Sequence, residues 1–211
     1  RGAQVHTGRR VGTLLASASG WLVDGEPFDR VLLATPPGES ARLLEPVAKH
    51  LPAAAAWTAQ AQALRFEAIA TVYALAQRPL PQGAAMLALR HGPNAPAQFV
   101  FDKAALGGPK GLLAFVVSAS GNNRERLQAD VLTQAQALGL GPLNVLQTVV
   151  EKRATFACTP ALQRPAVALL PSLCAAGDYT EGPYPATLEG ATMSGLQAVQ
   201  HLLGRNPIPA S

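Results

Sequence analysis

The stretch LCAAGDYTEGPYPATLEGATMSGLQAVQHLL, residues 173–203, decides the fold of this chain. It opens with a short apolar run at residues 173–176, which is typical of a fully buried strand. Gly177-Asp178 ends the run, and a turn rich in glycine and proline follows at residues 182–185. The next residues predict a helix, because apolar side chains recur at spacings of three and four: Leu188, Ala191, Gly195, Val199 and Leu202.

A strand followed by an acidic residue, a glycine turn and a helix N-terminus makes a site for a polar ligand. The N–H groups of a first helical turn have no partner inside the helix, and the helix dipole favours negative charge there. The pattern also fits an ordinary strand-turn-helix crossover with Asp178 as a capping residue, because a single Gly-Asp turn is weak support for a ligand site. From the residues alone, both interpretations stand.

The composition bounds the class of protein. A chain of 211 residues, 48% of them hydrophobic and only 14% charged, is a core-forming globular sequence of one large or two small domains. Its net charge of +4 is modest and its Lys and Arg residues are scattered, so we expect no nucleic-acid partner. Two cysteines match neither a disulfide framework nor zinc spacing, which predicts no metal site and a reducing, cytoplasmic location.

The remaining residues predict both strands and helices. Residues 1–35 are typical of β structure, and Pro36 and Pro37 end it because they cannot continue a ladder. Helices are predicted at residues 39–50 and 53–64, and a third runs from Asn122-Asn123 to Gly139. Closely spaced strands favour an antiparallel sheet, and they are predicted at residues 66–75, 84–89, 97–101, 112–118 and 145–156.

Two segments resemble a known superfamily. The motif LCAAGDY…GPYPATLEGATMSG, which begins at Leu173, resembles the C-terminal flavin-binding signature of the flavin amine oxidases and phytoene desaturases. The upstream segment VVEKRATFACTPALQRP, residues 149–165, resembles the squalene-associated FAD-dependent desaturases of that superfamily. The resemblance implies FAD as cofactor. It also implies a reaction that removes the allylic hydroxyl of hydroxysqualene to give squalene in hopanoid synthesis.

The resemblance also implies the residues that contact the cofactor. Gly177 and Asp178 would hold its ribityl and pyrophosphate part, and Val11 and Thr35-Pro36 would lie near the adenine and the flavin pocket. Core packing explains Val11 equally well. The helix N-terminus would face the pyrimidine edge of the ring through the backbone of Pro185, Ala186, Thr187 and Leu188. A reduced flavin carries negative charge at that edge, which a helix N-terminus stabilises.

The chain departs from the superfamily in one respect. It begins at Arg1-Gly2 without an initiator methionine, and no strand is followed by the G-x-G-x-x-G loop that the superfamily carries at its N-terminus. We therefore interpret the sequence as the C-terminal portion of a longer enzyme. We expect the isolated fragment to be inactive, with or without bound FAD.

The resemblance and the element order together predict the fold class. It is α+β, with an α/β remnant of a cofactor domain and a mixed, largely antiparallel sheet with helices, in a truncated FAD/NAD(P)-binding fold of the amine-oxidase type. Residues 1–45 would be a segment of the FAD domain, 46–165 the substrate-binding domain, and 166–211 the C-terminal strand and helix of the FAD domain.

No catalytic residue can be assigned from the sequence, because a bound flavin carries the redox chemistry. Glu189 is an acid beside the proposed flavin edge, or simply a first-turn acid that complements the helix dipole. Among Glu151-Lys152-Arg153, one charge would engage the substrate hydroxyl, or all three would lie on a solvated sheet edge. A substrate pocket or plain core would be formed by Phe66, Ile69, Tyr73, Phe99, Phe115 and Val117.

Three functions remain open from the sequence. The first is oxidation–reduction of an isoprenoid lipid, with peripheral contact at the inner face of the membrane because such substrates reside in bilayers. The second is another enzyme of the same fold, a carotenoid desaturase or an amine oxidase, in which Tyr179 and Tyr184 would form an aromatic cage at the flavin. The third is an inert fragment that binds an apolar ligand or a partner.

Overall fold

The structure is a computed structural model that describes residues 2–120 and 123–204. It divides into two compact units. Unit 1 consists of Arg1–Leu64 together with Cys158–Ser211, and unit 2 of Arg65–Ala157. The middle of the chain therefore forms a separate body, and the two ends of the chain fold together.

The first segment of unit 1 contains four short strands and two helices: β1 (Leu14–Ser17), β2 (Gly20–Val23), β3 (Glu26–Phe28), β4 (Val31–Leu33), α1 (Pro37–Ala48) and α2 (Pro52–Ala63). The first three strands form an antiparallel meander in chain order. Trp21 anchors this meander, because its buried ring donates a hydrogen bond from Nε1 to Ser172 Oγ at 3.0 Å. The β structure predicted at residues 1–35 is confirmed from Leu14 onward, whereas the described residues before Leu14 form no strand.

Helix α1 begins directly after Pro36, where a proline at the first position suits the missing N–H partner. Pro46 lies inside the helix, which continues to Ala48 before it ends. The helix buries one apolar stripe, formed by Ala41, Leu43, Leu44 and Val47. The stripe is the one that the spacing of apolar residues in 39–50 predicts, and it holds α1 in the core of unit 1.

Unit 2 is an antiparallel sheet covered by one helix. Its elements are β5 (Phe66–Ala76), β6 (Met86–Ala88), β7 (Phe99–Asp102), β8 (Leu112–Ser118), α3 (Arg124–Ala137) and β9 (Leu143–Phe156). The strand order is β6-β7-β8-β5-β9, and every pairing is antiparallel, as predicted. Asn123 caps α3, because its Oδ1 accepts a hydrogen bond from Arg126 N–H at 2.9 Å. Asn122, the other predicted cap, lies outside the described residues.

The two faces of this sheet differ. One face packs against α3 and forms a core that contains Ala70, Val72, Leu113, Phe115, Val117, Leu127 and Val131. The opposite face, here called the open face, follows from the strand register and consists of Ile69, Thr71, Tyr73, Met86, Phe99, Phe101, Val116 and Val149. Phe115 and Val117, predicted for a pocket or for core, are core, because strand alternation turns them toward α3.

The chain returns to unit 1 with β10 (Ala168–Leu170), β11 (Leu173–Ala175) and α4 (Leu188–Leu202). Strand β11 is the centre of a sheet ordered β10-β11-β4, parallel to β4 and antiparallel to β10. All three of its residues are fully buried, which confirms the strand predicted from residues 173–176. Burial raises the pKa of the Cys174 thiol to about 11, so this side chain is a small neutral core group.

The mixed architecture, with a parallel β4–β11 pair in one unit and an antiparallel sheet in the other, confirms the predicted α+β fold class. The compact units place residues 46–64 and 158–165 with unit 1, whereas the sequence division places them in the middle segment. The functional names given to the three segments stay a prediction.

The two faces of the unit 2 sheet predict different mutational effects. Phe115→Ala should lower the free energy of unfolding by about 3–5 kcal/mol, because it leaves a cavity under α3. Phe99→Ala removes a phenyl ring from the open face, where Phe99 is 38% exposed. It should lower the free energy of unfolding by less than about 1.5 kcal/mol. Urea unfolding of both variants checks this. Equal losses would contradict the assignment of the faces.

Candidate functional site

The turn after β11 is held by the helix that follows it. Gly177 N–H donates a hydrogen bond to Ser194 Oγ on α4 at 2.9 Å. The same hydroxyl lies 2.7 Å from the Ala191 carbonyl, so it also satisfies an acceptor of its own helix. Gly177 O accepts from the N–H and from the hydroxyl of Thr180, at 3.2 and 2.9 Å. These bonds fix both polar backbone groups of Gly177.

Position 177 requires glycine because there is no space for a side chain. A Cβ atom there would lie 2.5 Å from Cε1 of Tyr179. The Tyr179 ring cannot easily move aside, because it is 2% exposed and packs edge-on against Trp57 with centroids 6.3 Å apart. Trp57 is itself held by a hydrogen bond from Nε1 to the Ala166 carbonyl at 2.8 Å.

A chain of hydrogen-bonded hydroxyls connects this turn to α1. Tyr179 OH lies 3.1 Å from Ser40 Oγ, which lies 2.7 Å from Thr35 Oγ1. Burial raises the pKa of the Tyr179 phenol, the Ser40 hydrogen bond opposes that rise, and the neighbouring Asp178 charge adds to it. Tyr179 is therefore a neutral hydrogen-bonding group, and it ties the residues after β4 to the residues after β11.

Asp178 is half-buried beside this network. Burial raises the pKa of its carboxyl, and hydrogen bonds from the backbone N–H groups of Asp178 and Tyr179 oppose the rise. Its backbone carbonyl accepts from Ala186 N–H at 3.1 Å, which brings the acid next to the residues that precede α4. Within the described residues, its carboxylate accepts only from local backbone, so it can accept further hydrogen bonds from the hydroxyls of a ligand.

The N-terminus of α4 is formed by the predicted residues. Ala186 adopts a left-handed conformation with φ of 56°, and Thr187 follows as the cap. Thr187 Oγ1 accepts from Gly190 N–H at 3.0 Å and donates to the Tyr184 carbonyl at 2.9 Å. Leu188 is 90% exposed, so the first turn of α4 is accessible. The structure thus brings Gly177, Asp178 and the Pro185–Leu188 backbone together.

The buried face of α4 differs from the predicted stripe. Ser194 and Ala198 are the buried residues of this helix, with Ala191 and Leu202 half-buried. Leu188 and Val199, both part of the apolar spacing that predicts the helix, are 90% and 46% exposed. The most hydrophobic side chains of α4 are therefore not its buried ones. The helix turns its small residues toward β11, and these allow the helix and the strand to approach each other closely.

Val11 lies at a second place in unit 1. It lines a cavity of about 570 Å³ whose walls are mostly apolar, formed by Leu14, Val23, Val31, Leu32, Leu33 and Leu43. Thr35 lines the same cavity, and its hydroxyl is the first member of the chain that leads through Ser40 to Tyr179. Four arginine and glutamate side chains also line it, namely Arg9, Arg10, Glu39 and Arg42.

Several residues of the site are absent from the sequence-based prediction. Arg164 donates to the Thr180 carbonyl at 2.6 Å and to the Gly182 carbonyl, which fixes the loop after Asp178. Ser194 could have been found from its spacing, since it lies three and four residues from Ala191 and Ala198 on one helix face. No comparable pattern marks Ser40 or Arg164, whose partners are distant in sequence.

The other candidate residues are exposed. Glu189 lies in the accessible first turn of α4. Glu151, Lys152 and Arg153 are exposed on β9, an outer strand of the sheet, as the solvated-edge alternative expects. Arg153 stacks on the Phe66 ring at 4.1 Å from its centroid. Within residues 2–120 and 123–204, no group of three or more His, Cys, Asp or Glu side chains could hold a metal ion.

Unit 1 therefore offers two kinds of recognition: an acid and an accessible helix N-terminus after β11, and an apolar cavity beside Val11. Together they suit a ligand that carries hydroxyl groups, negative charge and a flat apolar portion. None of the described helices is both long and apolar enough to cross a membrane.

Comparison with known families assigns the chain. The model of the flavin containing amine oxidoreductase family matches residues 1–203, so this chain belongs to that family. A flavin is the cofactor that the family name implies. The comparison with curated protein sequences found no match to the chain.

Solved structures show the same fold. A putative protoporphyrinogen oxidase from Exiguobacterium sp. 255-15 is 21% identical with a TM-score of 0.57, and 90% of this chain matches 46% of that one. An oxidoreductase from Methanosarcina mazei is 19% identical with a TM-score of 0.66, and 92% of this chain matches 49% of it. A reduced UDP-galactopyranose mutase is 16% identical with a TM-score of 0.57, over 89% and 45% of the two chains. The chain thus spans just under half the length of these structures.

The surroundings of Gly177 and Gly195 predict opposite effects on stability when each glycine is changed to alanine. Gly177→Ala should lower the free energy of unfolding by about 1–3 kcal/mol, because the new methyl group overlaps the Tyr179 ring. Gly195→Ala, in the interior of α4 with no atom within 4 Å of the added Cβ, should raise it by about 0.5–1 kcal/mol. Thermal unfolding measures both. A neutral Gly177→Ala would show that the ring is not fixed.

Proposed function

We propose that this chain is part of an FAD-dependent oxidoreductase that acts on a squalene-type isoprenoid and removes the allylic hydroxyl of hydroxysqualene. The observation that carries the flavin part of the proposal is the turn Gly177-Asp178. In a chain of this family, a half-buried acid follows a fully buried parallel strand and lies beside an accessible helix N-terminus.

Two separate places in unit 1 support FAD rather than a shorter flavin. Asp178 and the N-terminus of α4 suit the ribityl chain and the pyrimidine edge of the ring, since one accepts hydrogen bonds and the other stabilises negative charge. The cavity beside Val11 suits an adenine, because most of its wall is apolar and polar side chains line the rest. A cofactor with a planar group at each end would occupy both places, whereas a mononucleotide would occupy only one.

The open face of unit 2 supports an apolar substrate. Phe99 is 38% exposed, Val149 45% and Met86 49%, and Tyr73 and Val116 between them are half-buried. Binding of a polyisoprenoid to such a surface is favourable in free energy, because each apolar contact removes apolar surface from water. We accordingly propose the outer segments of the chain as cofactor-binding and the middle segment as substrate-binding.

The proposed reaction is a reduction at an allylic carbon. The carbon–oxygen bond breaks, the hydroxyl takes a proton and leaves as water, and a hydride adds to the carbon. A reduced flavin, if bound, would supply that hydride. The side chains of the open face would hold the isoprenoid and exclude water, and the neighbouring alkene would stabilise positive charge that develops at the carbon.

A desaturase or an amine oxidase of the same fold is the alternative enzyme. The amine oxidase alternative has less support, because Tyr179 cannot form one wall of an aromatic cage. Its ring is 2% exposed and its hydroxyl is hydrogen-bonded to Ser40. Tyr184 is 49% exposed, and on its own it makes no cage. A carotenoid desaturase would use the same apolar face, so assays of substrates must separate these two.

A partner-binding fragment is the alternative from another class, and a specific observation favours it. Helix α4 exposes Leu188 at its start and Leu196 and Val199 along one side, and its C-cap residue Leu203 is exposed as well. Strand β4 has a strand partner on one side only within the described part of the chain. An edge strand presents unpaired backbone groups to another chain, so this edge and the exposed side chains of α4 both suit another polypeptide.

For the enzyme, we propose peripheral contact with the cytoplasmic face of a membrane, where squalene-type substrates enter.

Flavin titration tests the proposed cofactor site. Quenching of FAD fluorescence should give a dissociation constant that rises roughly 10- to 100-fold in Asp178→Ala, because charge-assisted hydrogen bonds to the cofactor are lost. Glu181→Gln is the matched control, since Glu181 is an exposed acid of the same loop, and it should bind as the unchanged chain does. Equal affinity of both variants would contradict the role of Asp178.

Lipid binding tests the proposed substrate class. Squalene in detergent micelles should shift the NMR signals of the methyl groups of Ile69, Val116 and Val149. The substitution Phe99→Ser should reduce these shifts. Phe28→Ser is the control, because Phe28 is 46% exposed on β3 in unit 1 and lies outside the open face. Shifts that are confined to α4, or that survive Phe99→Ser unchanged, would contradict an isoprenoid site on the open face.

A further inference from the structure

Three connecting segments of unit 2 meet at one end of its sheet, here called the loop end. They follow β5, join β7 to β8 and join α3 to β9, and they are residues 77–85, 103–111 and 138–142. Ala76 N–H donates to the Gly111 carbonyl at 2.8 Å, which joins the first segment to the second. Asp102 N–H donates to the Ala85 carbonyl at 3.0 Å, which joins them again. Because Ala76 also pairs with Leu143, the first residue of β9, the third segment lies at the same end.

The charged side chains of the loop end are cations. The three segments contain Arg78, Lys103 and Lys110 and no aspartate or glutamate. Arg78 and Lys110 are exposed, and Lys103 is half-buried. Asp102, which precedes the second segment, is 6% exposed, and its carboxylate accepts from Ala104 N–H at 2.9 Å. This acid is withdrawn from solvent, so the charge that the loop end presents to solvent is positive.

The opposite end of the same sheet carries mixed charge. The exposed cations there include Arg124 at the start of α3 and Lys152 near the end of β9. Each lies beside an exposed acid in the sequence, Glu125 and Glu151. Neighbouring charges of opposite sign largely cancel at a distance, so this end attracts an anionic surface less than the loop end does. The two ends therefore offer a matched comparison within one unit.

Exposed leucines lie among the cations of the loop end. Leu106 is 54% exposed and Leu138 is 41% exposed. Leu106 lies in a tight turn, in which the Lys103 carbonyl accepts from the N–H groups of Leu106 and Gly108 at 3.2 and 2.6 Å. Only glycine suits position 108, because a Cβ atom there would lie 2.9 Å from that carbonyl oxygen. The turn is therefore fixed, and it holds Leu106 away from the core.

The open face continues to the loop end. Leu75 follows Tyr73 by two residues on β5, so strand alternation places it on the same face, and it is 39% exposed. Met86, a member of the open face, begins β6 directly after the first segment and is 49% exposed. Apolar surface thus extends from the loop end toward Phe99 on β7.

We propose that the loop end is a docking surface for an anionic lipid bilayer. Its three cations lie against the headgroups, and Leu106 and Leu138 enter the boundary with the acyl chains. This inference deepens the proposed function and rests on it, because it identifies the surface through which an isoprenoid in the bilayer reaches the open face. The exposed leucines favour a bilayer over a soluble anionic partner, because a bilayer provides an apolar phase that they can enter.

Flotation with lipid vesicles tests the charge of this surface. The chain should bind vesicles of phosphatidylcholine with an equal amount of phosphatidylglycerol, and should bind vesicles of phosphatidylcholine alone only weakly. In Arg78→Gln/Lys110→Gln the partition coefficient on the anionic vesicles should fall roughly 25-fold, as expected for about fivefold per cation near the surface. Arg124→Gln/Lys152→Gln is the matched control, because it removes the same charge from the opposite end. It should lower the coefficient by less than about twofold.

Leucine variants test insertion into the bilayer. Leu106→Ser should lower the partition coefficient roughly fivefold, because the leucine side chain no longer leaves water on binding. Leu196→Ser is the control, since Leu196 on α4 in unit 1 is 57% exposed, and it should bind as the unchanged chain does.

Four outcomes would overturn the inference. They are equal binding to the two kinds of vesicle, equal losses in the cation variant and its control, a loss confined to Leu196→Ser, and a loss in the cation variant without one in Leu106→Ser. The third outcome would assign docking to α4, and the fourth would assign the loop end to a soluble anionic partner.

The result is separable from that of the proposed function. Squalene in detergent micelles reaches the open face without a bilayer, so shifts of the Ile69 and Val149 signals without vesicle binding would overturn the docking surface alone. Vesicle binding that depends on Arg78, Lys110 and Leu106, without those shifts, would support the docking surface and overturn the isoprenoid substrate.

Discussion

The close approach of Gly177 to Tyr179 and Ser194 is the constraint on which unit 1 depends. Ser194 Oγ accepts a hydrogen bond from Gly177 N–H. The Tyr179 ring lies so close that a Cβ atom at position 177 would be 2.5 Å from it. Strand β11 can therefore end in a sharp turn directly under α4, and Asp178 comes to lie beside the backbone that precedes the helix. A larger residue at position 177 would push the strand, the ring and the helix apart. The candidate flavin site is thus a consequence of packing as much as of the acid itself.

The hydrogen-bonded hydroxyls extend this constraint to the rest of unit 1. Tyr179, Ser40 and Thr35 form a continuous chain between the ends of two neighbouring parallel strands, β11 and β4. Thr35 also lines the cavity beside Val11, so the two candidate recognition places share one hydrogen-bonded framework. Buried hydroxyls are costly unless each has a partner, which makes this framework specific for one arrangement of α1 and β11.

The sequence predicts the local elements well and the distant contacts poorly. Residues 173–176, with their continuous apolar run, become β11, and the antiparallel sheet follows from closely spaced strands with polar turns. The apolar spacing that predicts α4 does not match the face that the helix buries. Leu188 and Val199 are more hydrophobic than Ser194 and Ala198, yet only the small residues fit against β11. The roles of Ser40 and Arg164 depend on partners many residues away, and local spacing carries no signal for them.

Competition between flavins is the measurement that tests the central claim most directly. The chain would be incubated with equal amounts of FAD and FMN, separated from free flavin, and denatured, and the released cofactor identified by mass. If unit 1 recognises the two ends of one cofactor, at the turn after β11 and at the cavity beside Val11, the released flavin is FAD. Release of FMN in preference to FAD, or of no flavin at all, would contradict the account.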